Sequence, residues 1–129
     1  MTANKTKVFV LEDNGERIKF FNKMFQNYDY VLCETAKEAK KVLYDNEFNV
    51  IFLDHDLGGR IFVDSNEEET GMTVVKYIIE KELQTNALFF IHSQNPVGAA
   101  NMLHRLMDDN RRAFLKSFTS IWTENSVGF

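Results

Sequence analysis

Residues 51–59, IFLDHDLGG, run an apolar stretch straight into two carboxylates flanking an imidazole, and then into a pair of glycines. The apolar part, NVIFL from Asn49, is short and unbroken. That is the pattern of a strand buried on both faces, as in a parallel sheet covered by helices. Asp54, His55 and Asp56 then fall at its carboxyl end, the edge at which open α/β sheets bind their ligands.

Short apolar runs alternate with helical periodicity in both directions from this stretch. Upstream, KVFVL (7–11) reads as a first strand. Ile18, Phe21, Phe25 and Tyr28 then recur three or four apart on one helical face, with Asn14 as N-cap. YVLCE from Tyr30 is a second strand. Thr35 and Glu38 stand in capping-box spacing before a second helix carried by Ala36, Ala39, Val42 and Leu43. Downstream, Thr70-Gly71 opens a third helix and ALFFIHS (87–93) is a fourth strand. Asn95 caps a fourth helix that has Pro96 at its first position, and RAFLKSF (112–118) is a fifth strand. The pattern predicts a single α/β domain over residues 1–129: a three-layer, doubly wound parallel sheet of five strands joined by right-handed crossovers.

Charge and composition narrow the partners. A net charge of −4 disfavours an extended nucleic-acid surface or an anionic membrane. A small phosphate-containing ligand or nucleotide stays open, because a bound divalent metal reverses the sign of an acidic pocket. The lone Cys33 lies in a strand, as expected of a core thiol in a reducing compartment. No apolar run approaches the roughly 20 residues that span a bilayer, and MTANKTK is no secretory leader. A cytoplasmic protein is expected.

The polar residues collect at the strand ends. Strand one is followed by Glu12-Asp13, strand three by Asp54-His55-Asp56, and strand four by His92-Ser93 with Asn95 close behind; Lys116 stands near the end of strand five. Each has an ordinary explanation by itself, as a cap, a solvated loop end or a core histidine. Four separate segments delivering such groups to one edge is the signature of a site. His104, mid-helix beside Arg105, is assigned no role.

This set resembles the receiver domain of bacterial response regulators over nearly the whole chain. Glu12 and Asp13 match the acidic pair, Asp54 the phospho-accepting aspartate, Ser93 the switch hydroxyl and Lys116 the strand-five lysine. AFLKSFT resembles the YVVKPFT type of segment. The resemblance implies a flavodoxin/receiver-like strand order, 2-1-3-4-5. Three features depart from a signalling receiver: DHDLGG in place of an apolar residue and a Met-Pro pair, a histidine beside the switch hydroxyl, and about a dozen residues after strand five. The terminal helix is therefore expected short or missing, with no output domain. LEDN…R, LDHDLGG and HSQNPVGAANM are similar to the cyclic-phosphate-processing receiver-like family of prokaryotic and phage genomes, from about Val8 to Lys116. That resemblance implies a metal-dependent phosphoesterase acting on a cyclic nucleotide or an RNA terminal cyclic phosphate.

The residues suit that chemistry. Glu12, Asp13, Asp54 and Asp56 offer the oxygen ligands that Mg²⁺ or Mn²⁺ takes, Asp54 and Asp56 on one side if the strand stays extended. His55 and His92 are candidates for proton transfer, together with Asp54 as ligand or nucleophile. Ser93, Asn95, the N–H groups around Val97 and Gly98, and Lys116 are candidates for holding phosphate oxygens. Arg60 lies in a long segment, GGRIFVDSNEEET (58–70), that reads equally as a flap over the site or as a solvated acidic loop. Two further readings remain: a stand-alone receiver phosphorylated on Asp54, and a non-catalytic binder of a nucleotide signal.

Overall fold

A computed structural model of the chain describes residues 4–57 and 69–124. Five strands, β1 (Asn4–Leu11), β2 (Tyr28–Cys33), β3 (Val50–Leu53), β4 (Leu88–Ile91) and β5 (Arg112–Leu115), pair in parallel in the order β2-β1-β3-β4-β5. The helices α1 (Gly15–Met24), α2 (Ala36–Asp45), α3 (Gly71–Glu80), α4 (Pro96–Asp108) and α5 (Phe118–Glu124) alternate with them. This is the doubly wound order the sequence suggests, with the short terminal helix present.

Period-two alternation assigns the strand residues to two cores. Val8 and Val10 of β1 and Val50 and Phe52 of β3 pack with Phe21 and Phe25 of α1 and Ile121 of α5. Phe9, Leu11, Ile51, Leu53, Phe89 and Ile91 face the other way, onto α2, α3 and α4. Phe52, Phe89, Ile51 and Leu53 are essentially inaccessible, so the apolar runs are continuous because both faces are covered. Cys33 is buried in this second core and burial pushes its thiol up to about 11, as an inert core thiol requires.

Local chemistry sets the helix starts. The Asn14 side chain accepts from the N–H groups of Glu16 and Arg17, and Thr35 from Glu38. Thr70 and Thr73 form a reciprocal capping box, and Asn95 accepts from Gly98 ahead of Pro96. Several boundaries differ from the sequence reading: α1 ends at Met24, so Tyr28, expected on its apolar face, opens β2 instead. β1 begins at Asn4, which pairs with Tyr28 ahead of a register shift. β5 stops at Leu115 because Ser117 turns the chain into α5, its Oγ accepting from Ser120 N–H and its carbonyl from Ile121 N–H. Among the described residues, no helix is long and apolar enough to cross a membrane.

Candidate active site

Register places the chemistry. Leu11, Leu53, Ile91 and Leu115 are neighbours across β1, β3, β4 and β5. One residue further on, Glu12, Asp54, His92 and Lys116 therefore form the next row, just past the carboxyl ends of the strands. They share the parity of Val10, Phe52, Phe90 and Phe114, which sets them on the α1/α5 side of the sheet. One donor atom from each of Glu12, Asp54 and His92 lies within 4.8 Å of the others. Lys116, half-buried, holds its ammonium 5.7 Å over the Phe90 ring.

Glu12 is the hub. Its Oε1 accepts from His92 Nε2 at 3.0 Å and from Arg17 Nε at 2.8 Å. Its Oε2 accepts from Arg17 Nη2 at 3.2 Å and from the backbone N–H groups of Asp13 and Asn14, each at 3.1 Å. Burial alone would raise this carboxyl, but the hydrogen bonds from His92 and Arg17 outweigh it and hold the group near about 2. Glu12 is then ionised at neutral pH and can only accept, so His92 Nε2 carries the proton and Nδ1 is the open nitrogen. That Nδ1 is buried and has no hydrogen-bond partner among the described residues.

Asp54 behaves oppositely. Burial pushes its carboxyl up to about 6, with the Glu12 charge adding to the rise and the His92 and Arg17 charges opposing it. Its Oδ1 accepts from His55 N–H at 2.8 Å and its Oδ2 from Arg17 Nη2 at 3.5 Å. Arg17 thus bridges both carboxylates. The sequence reading carried it only as the arginine of LEDN…R, with no role assigned; it stands five positions beyond Glu12, on the first turn of α1.

His55 and Asp56 lie elsewhere. The condition for Asp54 and Asp56 to share a side was an extended strand, but β3 ends at Leu53 and the chain turns back on Asp54. The His55 ring passes to the α4 side, fully buried, with Nδ1 2.7 Å from Asp56 Oδ1. Asn95 Nδ2 donates to the same oxygen at 3.1 Å, while its Oδ1 caps Gly98 N–H at 2.9 Å. Gly98 is pressed so close that a Cβ would meet the His55 ring at 2.5 Å. Asp56 is accordingly absent from the Glu12–Asp54–His92 cluster, and the Gly98 N–H is occupied by its cap. Gly71 makes a similar approach beneath β3: its N–H donates to the His55 carbonyl at 2.7 Å, and a Cβ there would collide with the Asp54 carbonyl oxygen.

The remaining candidates divide. Ser93 is half-buried and its Oγ accepts from Asn95 N–H at 3.1 Å. Asp13, half-buried, stands beside the cluster and its charge acts on Arg17. Arg60, with Ile61 and Phe62, falls in 58–68, outside the described residues. A surface cleft of about 600 Å³ opens at the other end of the sheet by Lys7, Glu47 and Thr85. It has neither a buried ionisable cluster nor an orphaned polar atom, so the strand-end row is the better site. Arg111 and Arg112 also lie at that far end, and Arg111 is spent internally on Asp109 and on the carbonyls of Leu83 and Gln84.

The profile of the Cyclic-phosphate processing Receiver domain matches residues 8–108. The chain belongs to that family. Solved receiver domains share its fold at low identity. The signal receiver domain of an HD domain-containing protein from Pseudomonas fluorescens Pf-5 superposes with a TM-score of 0.68 at 9% identity, covering 98% of this chain and 85% of that one. Vibrio cholerae chemotaxis protein CheY4 gives 0.66 at 13% identity, covering 95% and 96%. The receiver domain of a putative Luxo repressor protein from Vibrio parahaemolyticus gives 0.64 at 16%, covering 95% and 88%. No curated protein matches the chain. The receiver fold of this family member is thus established, on a frame whose strand-end row carries a histidine.

Proposed function

We propose that this cyclic-phosphate processing receiver domain is a metal-dependent phosphoesterase that opens a cyclic phosphate, in a cyclic nucleotide or at an RNA end. The observation that carries the reading is His92: buried, fixed through Nε2 by an ionised carboxylate, and sharing with Glu12 and Asp54 a cluster whose donor atoms all lie within 4.8 Å of one another.

The donor set fits a divalent ion. Glu12 and Asp54 would hold Mg²⁺ or Mn²⁺, and carboxylate oxygens are the ligands both ions accept. Bound there, the ion supplies charge neutralisation on a phosphoryl oxygen and makes a coordinated water more acidic. The protein does the rest. The Glu12 carboxylate holds the His92 ring in place through Nε2. The His92 imidazole takes a proton from the attacking water as the new P–O bond forms, and returns it to the ester oxygen that leaves as the ring opens. Lys116 and Ser93 hold phosphate oxygens from β5 and β4. His55 and Asp56, buried together against α4, fix the turn that carries Asp54 rather than moving protons themselves.

The test is turnover of a panel of cyclic mono- and dinucleotides and of RNA ending in a cyclic phosphate, with Mg²⁺ or Mn²⁺. Ring opening that is lost in His92→Ala and in Asp54→Asn is the expected result. No turnover across the panel, or turnover indifferent to both substitutions, overturns the reading.

A second reading has support of its own: Asp54, Ser93 and Lys116 follow β3, β4 and β5 in the arrangement of a phospho-accepting receiver. Treatment with an acyl phosphate and intact-mass measurement separates the two. A labile phosphoryl adduct that disappears in Asp54→Asn favours the receiver.

A further inference from the structure

The Glu12 oxygens that would bind metal are already taken. Glu12 accepts from Asp13 N–H, Asn14 N–H, His92 Nε2, Arg17 Nε and Arg17 Nη2, whereas a carboxylate offers about four lone-pair sites. Asp54 Oδ1 is held by His55 N–H and its Oδ2 faces Arg17 Nη2. Asp54 keeps lone pairs to spare, but a divalent ion reaches Glu12 only if a donor withdraws.

The donors differ in their freedom to leave. Two are backbone groups fixed by the turn into α1. His92 is locked in place, 2% exposed with its ring 5.2 Å from Phe21. Arg17 is the exception: a long side chain rooted on an outer helix, 19% exposed, and therefore able to swing toward solvent. Its positive charge already balances Glu12 and Asp54, and a guanidinium in contact with both would repel an arriving cation.

We propose that Arg17 occupies the seat of the divalent ion, and that a phosphate-bearing ligand draws the guanidinium out so that metal and anion enter together. The planar guanidinium fork matches phosphate oxygens as well as it matches carboxylate, so the displaced side chain gains an equivalent partner. Binding of cation and anion is then mutually reinforcing, and the reinforcement is reciprocal. This rests on the metal reading above and adds an order of events to it.

The experiment is calorimetric binding of Mn²⁺ to the full chain, with and without methyl phosphate, for the wild type and Arg17→Gln. In the wild type, methyl phosphate is expected to tighten Mn²⁺ binding by roughly 10-fold, within the usual range of such couplings. In Arg17→Gln, Mn²⁺ alone is expected to bind tighter by a similar factor, with the phosphate effect gone. Equal or weaker Mn²⁺ binding in Arg17→Gln, or a wild type indifferent to methyl phosphate, overturns the proposal while leaving the metal reading intact. No Mn²⁺ binding to either protein overturns both. Should Arg17→Gln unfold, the Arg17 Nε–H resonance of the wild type serves instead. It is expected to shift when Mg²⁺ and methyl phosphate are added together, and a resonance that stays put overturns the proposal.

Discussion

Gly98 lies flat against the imidazole of His55, close enough that a single added methyl group would fall 2.5 Å from the ring. The contact joins the first turn of α4 to the turn after β3, so it sets the distance between two segments of the site. Gly98→Ala must push the ring or the helix aside, and His55 is too buried to yield cheaply. The expected cost is about 1–3 kcal/mol of folding stability, measured by urea unfolding. A neutral substitution would mean that the helix start is looser than described.

Glu12→Gln should be the most damaging single change in the row. It strips the charge that pairs with Arg17 and fixes the His92 tautomer, leaving a guanidinium and an imidazole facing an amide. Breaking a buried pair from one side typically costs about 3–5 kcal/mol, and Arg17 keeps enough solvent to place the loss at the low end. Chemical denaturation gives the value, and Arg17→Gln paired with it in a double-mutant cycle reports how much belongs to the pair.

The two carboxylates impose opposite pH dependences. Asp54 is raised from 3.8 to about 6, so the folded state binds its proton more tightly than the unfolded chain. Its contribution to stability is complete below about pH 4 and is lost as pH rises through 6. Glu12 is lowered from 4.5 to about 2, so its contribution is present above pH 4.5 and is lost as pH falls through 2. In metal-free buffer, stability should decline between pH 4.5 and 7 by an amount on the order of 2 kcal/mol. Asp54→Asn should flatten that decline and exceed the wild type in stability at pH 7. A wild type that gains stability over the same interval would contradict this account of Asp54.

Asn95 serves two neighbours, and two substitutions separate them. Asn95→Ala loses both the α4 cap and the hydrogen bond to Asp56, with an expected cost of about 1–2 kcal/mol. Asn95→Ser keeps a capping oxygen and loses only the bond to Asp56, so it should cost less. Thermal unfolding of the two proteins side by side is sufficient. Equal losses would place the whole effect on Asp56.

The frame was readable because each strand is a short apolar run and each of the first four helices opens on a capping side chain. β5 was the hardest to bound. Phe114 and Leu115 are both 52% exposed on an edge strand, so apolar character ran on past the last ladder pair and only Ser117 marked the turn. The row of Glu12, Asp54, His92 and Lys116 was readable for a simple reason: parallel strands in register end together, and residues one past their ends must meet. Contacts that depend on a turn were not. Where Asp56 goes is decided by the hydrogen bond from His55 N–H to Asp54, which no periodicity encodes. Arg17 was hidden for a different reason, since a helix-borne arginine is usually a solvated one and only the depth of Glu12 makes this one part of the site.

The two histidines stand on opposite faces of the same sheet edge, and they answer to different pressures over time. His55 fills volume against Gly98, so a descendant that gave up all chemistry would still have to keep both or change both at once. His92 fills a role only while Glu12 needs an imidazole beside it. If the domain is the phosphoesterase proposed above, a lineage drifting away from that activity should therefore shed His92 first and carry the glycine–imidazole contact as a relic of its ancestry.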